Sequence, residues 1–250
     1  MVLVPEATIQ FKVEHLRREC GCYPDPGTPS DLVEKFLWGN AFSETITHDY
    51  SVPVDSFLVD QTEVSNAEFK KFLDATGYKP QDATNFLAHW PNGVMPPELA
   101  NHPVVFVDIN DARAYAKWAG KRLPTEPEWH LAAQGTDERI WPWGNEDADA
   151  TRVNRSGKTM PVDSLPAGRS PFGCYHLSGN VYEWTESERD DGHTRFVMIR
   201  GGSFFQAQGS GWYMDGGPRP CGHHAKFLQM SSSLDRCDTI GFRCVQDVAK

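Results

Sequence analysis

The segment RGGSF at residues 200–204, followed by GFRC at residues 241–244, decides which fold this chain can adopt. Three further motifs come before them: GKRLPTEPEW at 120–129, WPWGN at 141–145 and GNVYEWT at 179–185. These five separate motifs, in this order over most of the chain, form a signature that is specific for one fold. Such a signature identifies a fold more strongly than it identifies an activity.

The composition bounds the class of protein independently of those motifs. A chain of 250 residues forms one large domain or two small ones. Its 21 glycines, 18 prolines and 8 tryptophans indicate many turns and loops around an aromatic-rich core, not a helical bundle. A formal net charge of -10 disfavours nucleic acid as a partner, because the phosphate backbone is also negative. No apolar stretch reaches transmembrane length, so we expect no membrane partner.

Local patterns in the first third of the chain predict two strands and a helix. Residues 8–13 alternate apolar and polar side chains, which is typical of a strand, and 54–59 are predicted as a second strand. Ser65 has the character of a helix N-cap, and Glu68 completes a capping box with it. This helix is expected to end at Gly77, because glycine readily adopts the left-handed conformation of a C-cap.

The middle of the chain is predicted to form one short strand and two helices. Residues 103–107 are apolar and are predicted as a buried strand. A helix is predicted at 111–119, with either Asp108 or Asn110 as its N-cap. A further helix is expected to begin after Thr125, which opens a second capping box.

Two other parts of the chain are predicted to be loop. Residues 19–50 are rich in proline, glycine and charge, and are predicted as a loop insertion with one short helix at 32–38. From about residue 140 onward the apolar residues follow neither the period of a strand nor that of a helix, so we expect turns. The tryptophans of the motifs are expected in the core; these are Trp129, Trp141, Trp143 and Trp184.

In their order, the five motifs resemble the formylglycine-generating enzyme family, the sulfatase-modifying factor domain. The resemblance covers nearly the whole chain. It implies a single domain over residues 1–250 with a mixed α/β (α+β) architecture. It also implies a C-type-lectin-like body that is rich in loops and low in regular secondary structure.

The resemblance implies a copper centre, and this chain departs from it. Relatives that generate formylglycine hold copper(I) with two cysteines shortly after the RGGS motif, since two soft thiolates suit that ion. The first of these positions is Gln206 here. The second falls near Cys221 only if a gap is allowed. We therefore expect no copper-dependent oxidation of a sulfatase cysteine.

The resemblance also implies two calcium sites. Calcium prefers clustered oxygen donors, which a sharp glycine turn can present as carbonyls. A neutral imidazole at position 176 is a poor replacement for the oxygen donor of the relatives. The second site would use the side chain of Asn154, the carbonyl of Arg155 and an aspartate from a following loop. That loop is shortened here to residues 156–158. The candidate ligands are His176, Gly179, Val181 and Glu183 for the first site, and Asn154 and Arg155 for the second.

Two interpretations of the region after RGGS remain open. Cys221, His223 and His224, with His193, could hold a transition metal such as iron or copper, although their spacing matches no strong ligand pattern. Alternatively, the polar and aromatic residues there form a binding pocket for a carbohydrate, a peptide or another small molecule. The plainest alternative is a loop packed by its own side chains. The pocket residues are Gln206, Trp212, Tyr213, Asp215 and Arg219, beside Phe204 and Phe205.

The cysteines give a weak indication of compartment. In secreted relatives, the cysteine at the position of Cys244 pairs with one at the position of Ala116, and another structural cysteine falls at Ala133. Both partners are absent, which favours a reducing compartment or other bridges. Cys20 and Cys22 form a C-x-C pair without a second pair at zinc-site spacing, so we expect two unlinked thiols.

The N-terminus lacks the features of a signal peptide, which predicts a cytoplasmic protein if the chain is complete. The sequence leaves open that it was cut from a longer precursor. For function we favour a ligand-binding or accessory module, within a larger protein, beside a partner domain or as a homo-oligomer. The alternative is a metal-dependent oxidoreductase of the sulfoxide synthase type, whose iron would need ligands from a partner or from the histidines named above.

Overall fold

A computed structural model describes residues 1–16, 45–190, 195–206, 216–229 and 231–248. Several sequence predictions therefore lie outside the described residues. These are the helix at 32–38, the C-x-C pair Cys20 and Cys22, His193, and the pocket residues Trp212, Tyr213 and Asp215.

Three sheets are formed within the described ranges. Strand β1 (Val2–Val4) pairs antiparallel with β4 (Phe57–Val59), and β4 pairs antiparallel with β9 (Val245–Asp247). Strands β2 (Ala7–Leu16) and β3 (Thr45–Val54) form a long antiparallel pair that runs from Ala7 opposite Val54 to Leu16 opposite Thr45. Alternation of buried Ile9, Phe11 and Val13 with exposed residues turns one face of β2 to the core.

The third sheet has four strands in the order β7-β6-β5-β8. These are β5 (Tyr182–Asp190), β6 (Arg195–Arg200), β7 (His224–Leu228) and the two-residue β8 (Ile240–Gly241). The pairs β5–β6 and β6–β7 are antiparallel, whereas β8 runs parallel to β5. This sheet brings the GNVYEWT, RGGSF and GFRC motifs side by side.

Three helices begin at side-chain caps that satisfy their free amide groups. Helix α1 (Asn66–Thr76) begins after Ser65, α2 (Ile109–Trp118) after Asp108, and α3 (Glu126–Gln134) after Thr125. Each start is a full capping box, in which the third helical residue returns a bond to the cap backbone. A fourth, short helix, α4, spans Ser232–Asp235, and 3-10 turns occur at Pro91–Gly93, Pro97–Leu99 and Pro166–Gly168. No helix within the described residues has the length and apolar character that a bilayer crossing requires.

Two apolar clusters hold these elements together. The first joins α1 and α2 to the four-stranded sheet and contains Phe69, Tyr115 and the fully buried Trp184. The second joins the β2–β3 pair to α3 and contains Phe11 and the buried Trp129. The predicted helices α1 and α3 and their caps are confirmed, as is the mixed, loop-rich architecture.

Several local predictions are wrong. Residues 45–50, assigned to the loop insertion, belong to β3, and the strand expected at 54–59 is divided between β3 and β4. The apolar run 103–107 is buried but makes only an isolated bridge, because Phe106 takes a φ of 55° that ends the extended backbone. The largest correction concerns the second half of the chain, where β5 to β9 replace the turns that we expected.

Trp141 and Trp143 also differ from the prediction, because both are only half-buried. Their rings stack on each other, with centroids 5.3 Å apart and planes 7° apart. A tight turn holds them, in which Trp141 and Gly144 exchange backbone hydrogen bonds of 2.9 and 3.0 Å.

Candidate functional site

The segments on either side of the undescribed stretch 207–215 pack against each other. The Ser203 amide donates to the Gly217 carbonyl at 3.2 Å, and the Arg219 amide donates to the Gly201 carbonyl at 3.1 Å. Gly202 lies between them at a φ of 80°, and a Cβ atom there would be 2.3 Å from the Gly217 oxygen. The glycines of RGGSF therefore allow the backbones to touch and fix the base on which Arg219 stands.

The predicted pocket residues on these two segments take different positions. Gln206 is exposed, and Arg219 is half-buried. Phe205 is 50% exposed, whereas Phe204 is buried. The structure thus leaves a polar amide, a guanidinium and one aromatic ring accessible at this surface.

Cys221 and His224, which the sequence placed in the same site, are both buried inside the fold. Cys221 lies in the second apolar cluster, and burial raises the pKa of its thiol to about 12. His224 opens β7 and its Nδ1 lies 2.8 Å from the carboxylate of Glu126, the first residue of α3. Neither side chain has the exposure that ligand binding at the surface needs.

Glu126 and His224 belong to a buried charged network centred on Arg200. The Arg200 guanidinium donates to Glu126 at 3.0 Å and to the Cys221 carbonyl at 2.6 Å, and lies 3.0 Å from His130 Nδ1. It also stacks 4.8 Å from the Trp129 ring centroid. This network ties the RGGSF motif to α3, and its arginine is fully buried.

Burial and the neighbouring charges determine the protonation states of Glu126 and His130 in this network. Burial by itself would raise the pKa of Glu126, but His224 and Arg200 hold that pKa well below its usual range. Burial and the charge of Arg200 lower the pKa of His130 to about 3. The carboxylate is therefore ionised and His130 is neutral at physiological pH, as a structural ion pair requires.

His223, the neighbour of His224, lines an open cleft of about 410 Å³. Burial lowers the pKa of His223 to about 3, with the charge of Arg219 contributing, so its ring is neutral. Its Nδ1 is buried and has no hydrogen-bond partner. Three segments build the cleft: Gln10, Lys12 and Glu14 from β2, Gln134, Glu138, Arg139 and Ile140 after α3, and Pro220, Gly222 and His223 before β7.

The first set of predicted calcium ligands surrounds a buried ion pair. Arg243 donates through Nε to Oε2 of Glu183 and through Nη2 to Oε1, both at 2.7 Å, and Trp129 donates to Oε2 at 2.8 Å. His176 lies at a φ of 54°, with Nε2 facing the Pro161 carbonyl at 3.2 Å. The site's carboxylate is thus already neutralised by a cation. Calcium here remains a prediction that the donor arrangement does not favour.

The second predicted set is also occupied by internal hydrogen bonds. The Asn154 side chain accepts from the Ser156 amide at 2.9 Å and donates to the Lys158 carbonyl at 2.7 Å, which closes a turn. It donates as well to the side chain of Asn180 at 3.0 Å. Arg155 is exposed and donates to the Ala148 carbonyl. A cation would have to displace the turn's own bonds.

Sequence reasoning missed the partners of these motif residues. In the sequence, Arg243 stands out only as part of GFRC, and no motif contains Glu63. Glu63 has no exposed surface, accepts from Asn180 at 2.9 Å through one oxygen, and has no partner for the other. Burial, with Glu183 contributing, raises the pKa of Glu63 to about 8 against the opposing charge of Arg243. One sequence signal could have found the ion pair: Glu183 in GNVYEWT and Arg243 in GFRC carry opposite charges. Charged residues are almost never fully buried unless they are paired.

Comparison with known proteins agrees with this arrangement. A family model described as the sulfatase-modifying factor enzyme 1-like domain matches residues 34–248. The chain belongs to this family. The formylglycine-generating enzyme of Streptomyces coelicolor is 31% identical over 286 aligned positions, which cover 85% of this chain and 87% of the relative.

Other members are longer proteins or carry other names. A protein named serine/threonine-protein kinase pkn1 from Chlamydia caviae is 37% identical over 74% of this chain, but the match covers only 32% of that protein. The mouse formylglycine-generating enzyme is 35% identical, and half of its length is covered. A bovine relative, 35% identical over 61% of this chain, is named inactive C-alpha-formylglycine-generating enzyme 2. The chain thus spans about a third to a half of several curated relatives that it matches.

Solved structures show the same fold. PvdO from Pseudomonas aeruginosa superimposes with a TM-score of 0.60 at 21% identity, covering 98% of this chain and 93% of that one. CarF gives the same TM-score at 19% identity, with 99% and 98% covered. The family assignment and the α+β fold predicted from the motifs are therefore confirmed. The C-type-lectin-like character remains a prediction.

The residues do not fit the copper centre that the resemblance implies for active members. Gln206 offers an amide where the first thiolate would be, and Cys221 is a buried thiol with a raised pKa. Copper(I) prefers soft, deprotonated sulfur. Within the described residues, moreover, no three histidine, cysteine or acidic side chains gather as a metal site would require.

Proposed function

We propose that this chain is a ligand-binding or accessory domain of the sulfatase-modifying factor family, and that it does not generate formylglycine. The observation that carries this proposal is the cleft of about 410 Å³ beside His223. Its size lies within the usual range of small-molecule pockets, roughly 300–1,000 Å³. The ligand class that we propose is a polar one, a carbohydrate or a peptide segment.

The side chains of the cleft suit a ligand with many hydrogen-bonding groups. Lys12 and Glu14 bring one charge of each sign, and Gln10, which donates to Asp49, keeps its amide oxygen as an acceptor. Gln134 is held by its own bonds to His130 and to the Arg139 carbonyl, which fixes that wall of the cleft. Ile140, which is 51% exposed, provides an apolar contact for a sugar face or an aliphatic side chain. A mixed lining of this kind supports specific orientation of a polar ligand more than the binding of an apolar one.

An accessory role is supported by the kinds of protein in which related domains occur. The pkn1 relatives bear the name of a protein kinase and are much longer than the match, and one bovine relative is named inactive. A domain that retains a family fold without its thiol pair can recognise a ligand for a neighbouring catalytic domain. We therefore propose a partner domain or a second copy as the unit with which it works.

The proposal is tested by a binding screen followed by variants of the cleft. The purified chain is labelled and applied to a glycan array and to a peptide library, and each hit is measured by calorimetry. Lys12→Ala is expected to weaken the binding of a true cleft ligand about tenfold, since a lost hydrogen bond to a charged group costs roughly 1.5 kcal/mol. Gln10→Ala is expected to weaken it about fivefold, since a hydrogen bond of a neutral amide is worth roughly 1 kcal/mol.

A matched control distinguishes the cleft from general surface charge. Lys70 on α1 is an exposed lysine that pairs with Asp74 outside the cleft, so Lys70→Ala should leave the affinity unchanged. Equal losses in Lys12→Ala and Lys70→Ala would contradict the cleft, as would a complete absence of hits in both libraries.

A further inference from the structure

Arg219 has an unusual environment for a half-buried cation. Its guanidinium hydrogen-bonds with the Tyr182 hydroxyl, but no carboxylate within the described residues pairs with it, and its Nε is buried without an acceptor. Among the described residues, the fully buried Arg200 and Arg243 are each paired with a carboxylate. Partial burial of an unpaired charge costs free energy, which a bound anion would offset.

Tyr182 gives a second observation at the same place. Its side chain is 8% exposed, and its hydroxyl is buried. Burial raises the pKa of this hydroxyl, and the nearby charge of Arg219 opposes the increase. Since a guanidinium can only donate, the Tyr182 oxygen accepts from Arg219, and neither the Tyr182 O–H nor the Arg219 Nε–H has an acceptor within the described residues. Buried donors are almost always hydrogen-bonded, so two of them side by side indicate a missing acceptor.

The backbone around Arg219 is held in place before any ligand arrives. Its amide donates to the Gly201 carbonyl at 3.1 Å, and its carbonyl accepts from the Ser178 hydroxyl at 2.9 Å. Tyr182 is fixed as the first residue of β5, where its amide donates to the Thr239 carbonyl at 2.8 Å. Donors on such a rigid base lose little entropy on binding, which favours a specific site.

We propose that Arg219 and Tyr182 form a recognition site for a carboxylate group, a site beyond the cleft of the proposed function. A guanidinium can donate two parallel hydrogen bonds to a carboxylate, and the tyrosine hydroxyl adds a third donor. One arginine balances one negative charge, whereas a phosphate dianion would remain unbalanced in a chain of net charge -10. The carboxylate can belong to an acidic peptide or to a sugar acid, and the test distinguishes these sources.

The test follows the Arg219 Nε–H signal by NMR in protein labelled with nitrogen-15 arginine. The signal is assigned by its loss in Arg219→Lys. The probes are acetyl-Gly-Glu-Gly-amide and glucuronic acid, each paired with its neutral amide, together with inorganic sulfate. We expect a saturable shift from at least one acid and none from the matched amides, and the acid that binds more tightly identifies the source.

Variants test whether both residues take part. Tyr182→Phe should lower the affinity for the acid probe about five- to tenfold, which corresponds to the loss of one hydrogen bond. Arg219→Lys should weaken it about tenfold or more, measured by calorimetry, because lysine keeps the charge but not the planar fork. Arg169 serves as the control, since it also has a tyrosine neighbour, Tyr175, but its Nε already donates to the Pro166 carbonyl. Arg169→Lys should bind as the wild type does.

Other results would overturn the proposal. These are the absence of any shift, shifts of equal size from the neutral amides, or a response to sulfate as strong as that to the acids. Circular dichroism of each variant separates misfolding from lost binding. A further outcome is that Lys12→Ala abolishes the binding of a library ligand while the acids leave the Arg219 Nε–H signal unshifted. That result would support the cleft and refute the carboxylate site.

Discussion

Arg243 and Glu183 form a bidentate ion pair in which neither side chain has any exposed surface. The pair joins GFRC near the end of the chain to GNVYEWT in β5, sixty positions earlier. Arg243 extends the connection by donating to the carbonyls of Asp60, Gln61 and Tyr175. Two motifs of the family signature are thus explained by one structural contact.

Breaking this pair should be costly. Glu183→Gln removes the carboxylate that pairs directly with the buried Arg243, which is expected to lower the free energy of unfolding by about 3–5 kcal/mol. Urea denaturation followed by circular dichroism measures the change. Glu186→Gln is the control, since its pair with Arg113 is partly exposed and should contribute less than about 1 kcal/mol. Equal effects of the two substitutions would contradict the structural role of the buried pair.

Glu63 should make the protein less stable as the pH rises. Its folded pKa of about 8 lies above the ordinary value of 4.5, so the folded state keeps a proton that the unfolded chain has lost. Its contribution therefore declines between pH 4.5 and 8, by up to about 1.4 kcal/mol per pH unit. Glu63→Gln should remove this decline, and urea denaturation of both proteins at pH 5.5 and pH 8.5 measures it. Parallel pH dependences would show that Glu63 does not titrate in this way.

His176 should make the protein less stable as the pH falls, which is opposite to the effect of Glu63. Burial lowers its folded pKa to about 4 from 6.5, so the unfolded chain takes up the proton first as the pH falls. The stability that depends on neutral His176 is complete above pH 6.5 and is lost toward pH 4. Asparagine tolerates the positive φ of this position and does not titrate.

The free energy of unfolding of His176→Asn should therefore increase relative to that of the wild type between pH 6.5 and 4, by up to about 1.4 kcal/mol per pH unit. Urea titrations across that range, referred to the difference at pH 7.5, measure this gain. A constant difference between the two proteins would refute the assignment.

The buried thiols should be inert in the folded protein. Cys174, Cys221 and Cys244 are buried, and desolvation raises the pKa of each thiol. The thiolate is the reactive form, so iodoacetamide at pH 8 should leave all three unmodified until urea unfolds the chain. Peptide mapping by mass spectrometry reads each position separately. Rapid native labelling of Cys221 would mean that this thiol is accessible and would reopen its role as a metal ligand.

The sequence was sufficient for the capped helix starts and for the family. The capping boxes Ser65 with Glu68 and Thr125 with Glu128 could be read directly, because cap and partner lie three residues apart. The four-stranded sheet could not, because Phe196 to Ile199 in β6 are all buried and show no alternation. Its shortest strand, β8, has only two residues and pairs in parallel across the chain, which leaves no local pattern.

The candidate site was predictable only in part. The sequence placed the adjacent His223 and His224 in one candidate site, and it could not say which of the two faces the interior. That depends on Glu126, which is 98 positions from His224 in the chain. The cleft depends equally on β2, whose Gln10, Lys12 and Glu14 carry no motif. Contacts between distant segments determine both features, and single-sequence patterns do not record them.

The central claim is that this domain keeps the family fold without its oxidation chemistry. The most direct test incubates the chain with copper(I), oxygen and a sulfatase peptide that carries the target cysteine, beside the Streptomyces coelicolor enzyme as positive control. Mass spectrometry of the peptide and plasma mass spectrometry of the protein are the readouts. We predict no conversion of the cysteine and no stoichiometric copper or iron. Conversion above the protein-free blank, or bound metal that is lost in Cys221→Ser or His223→Ala, would contradict the account.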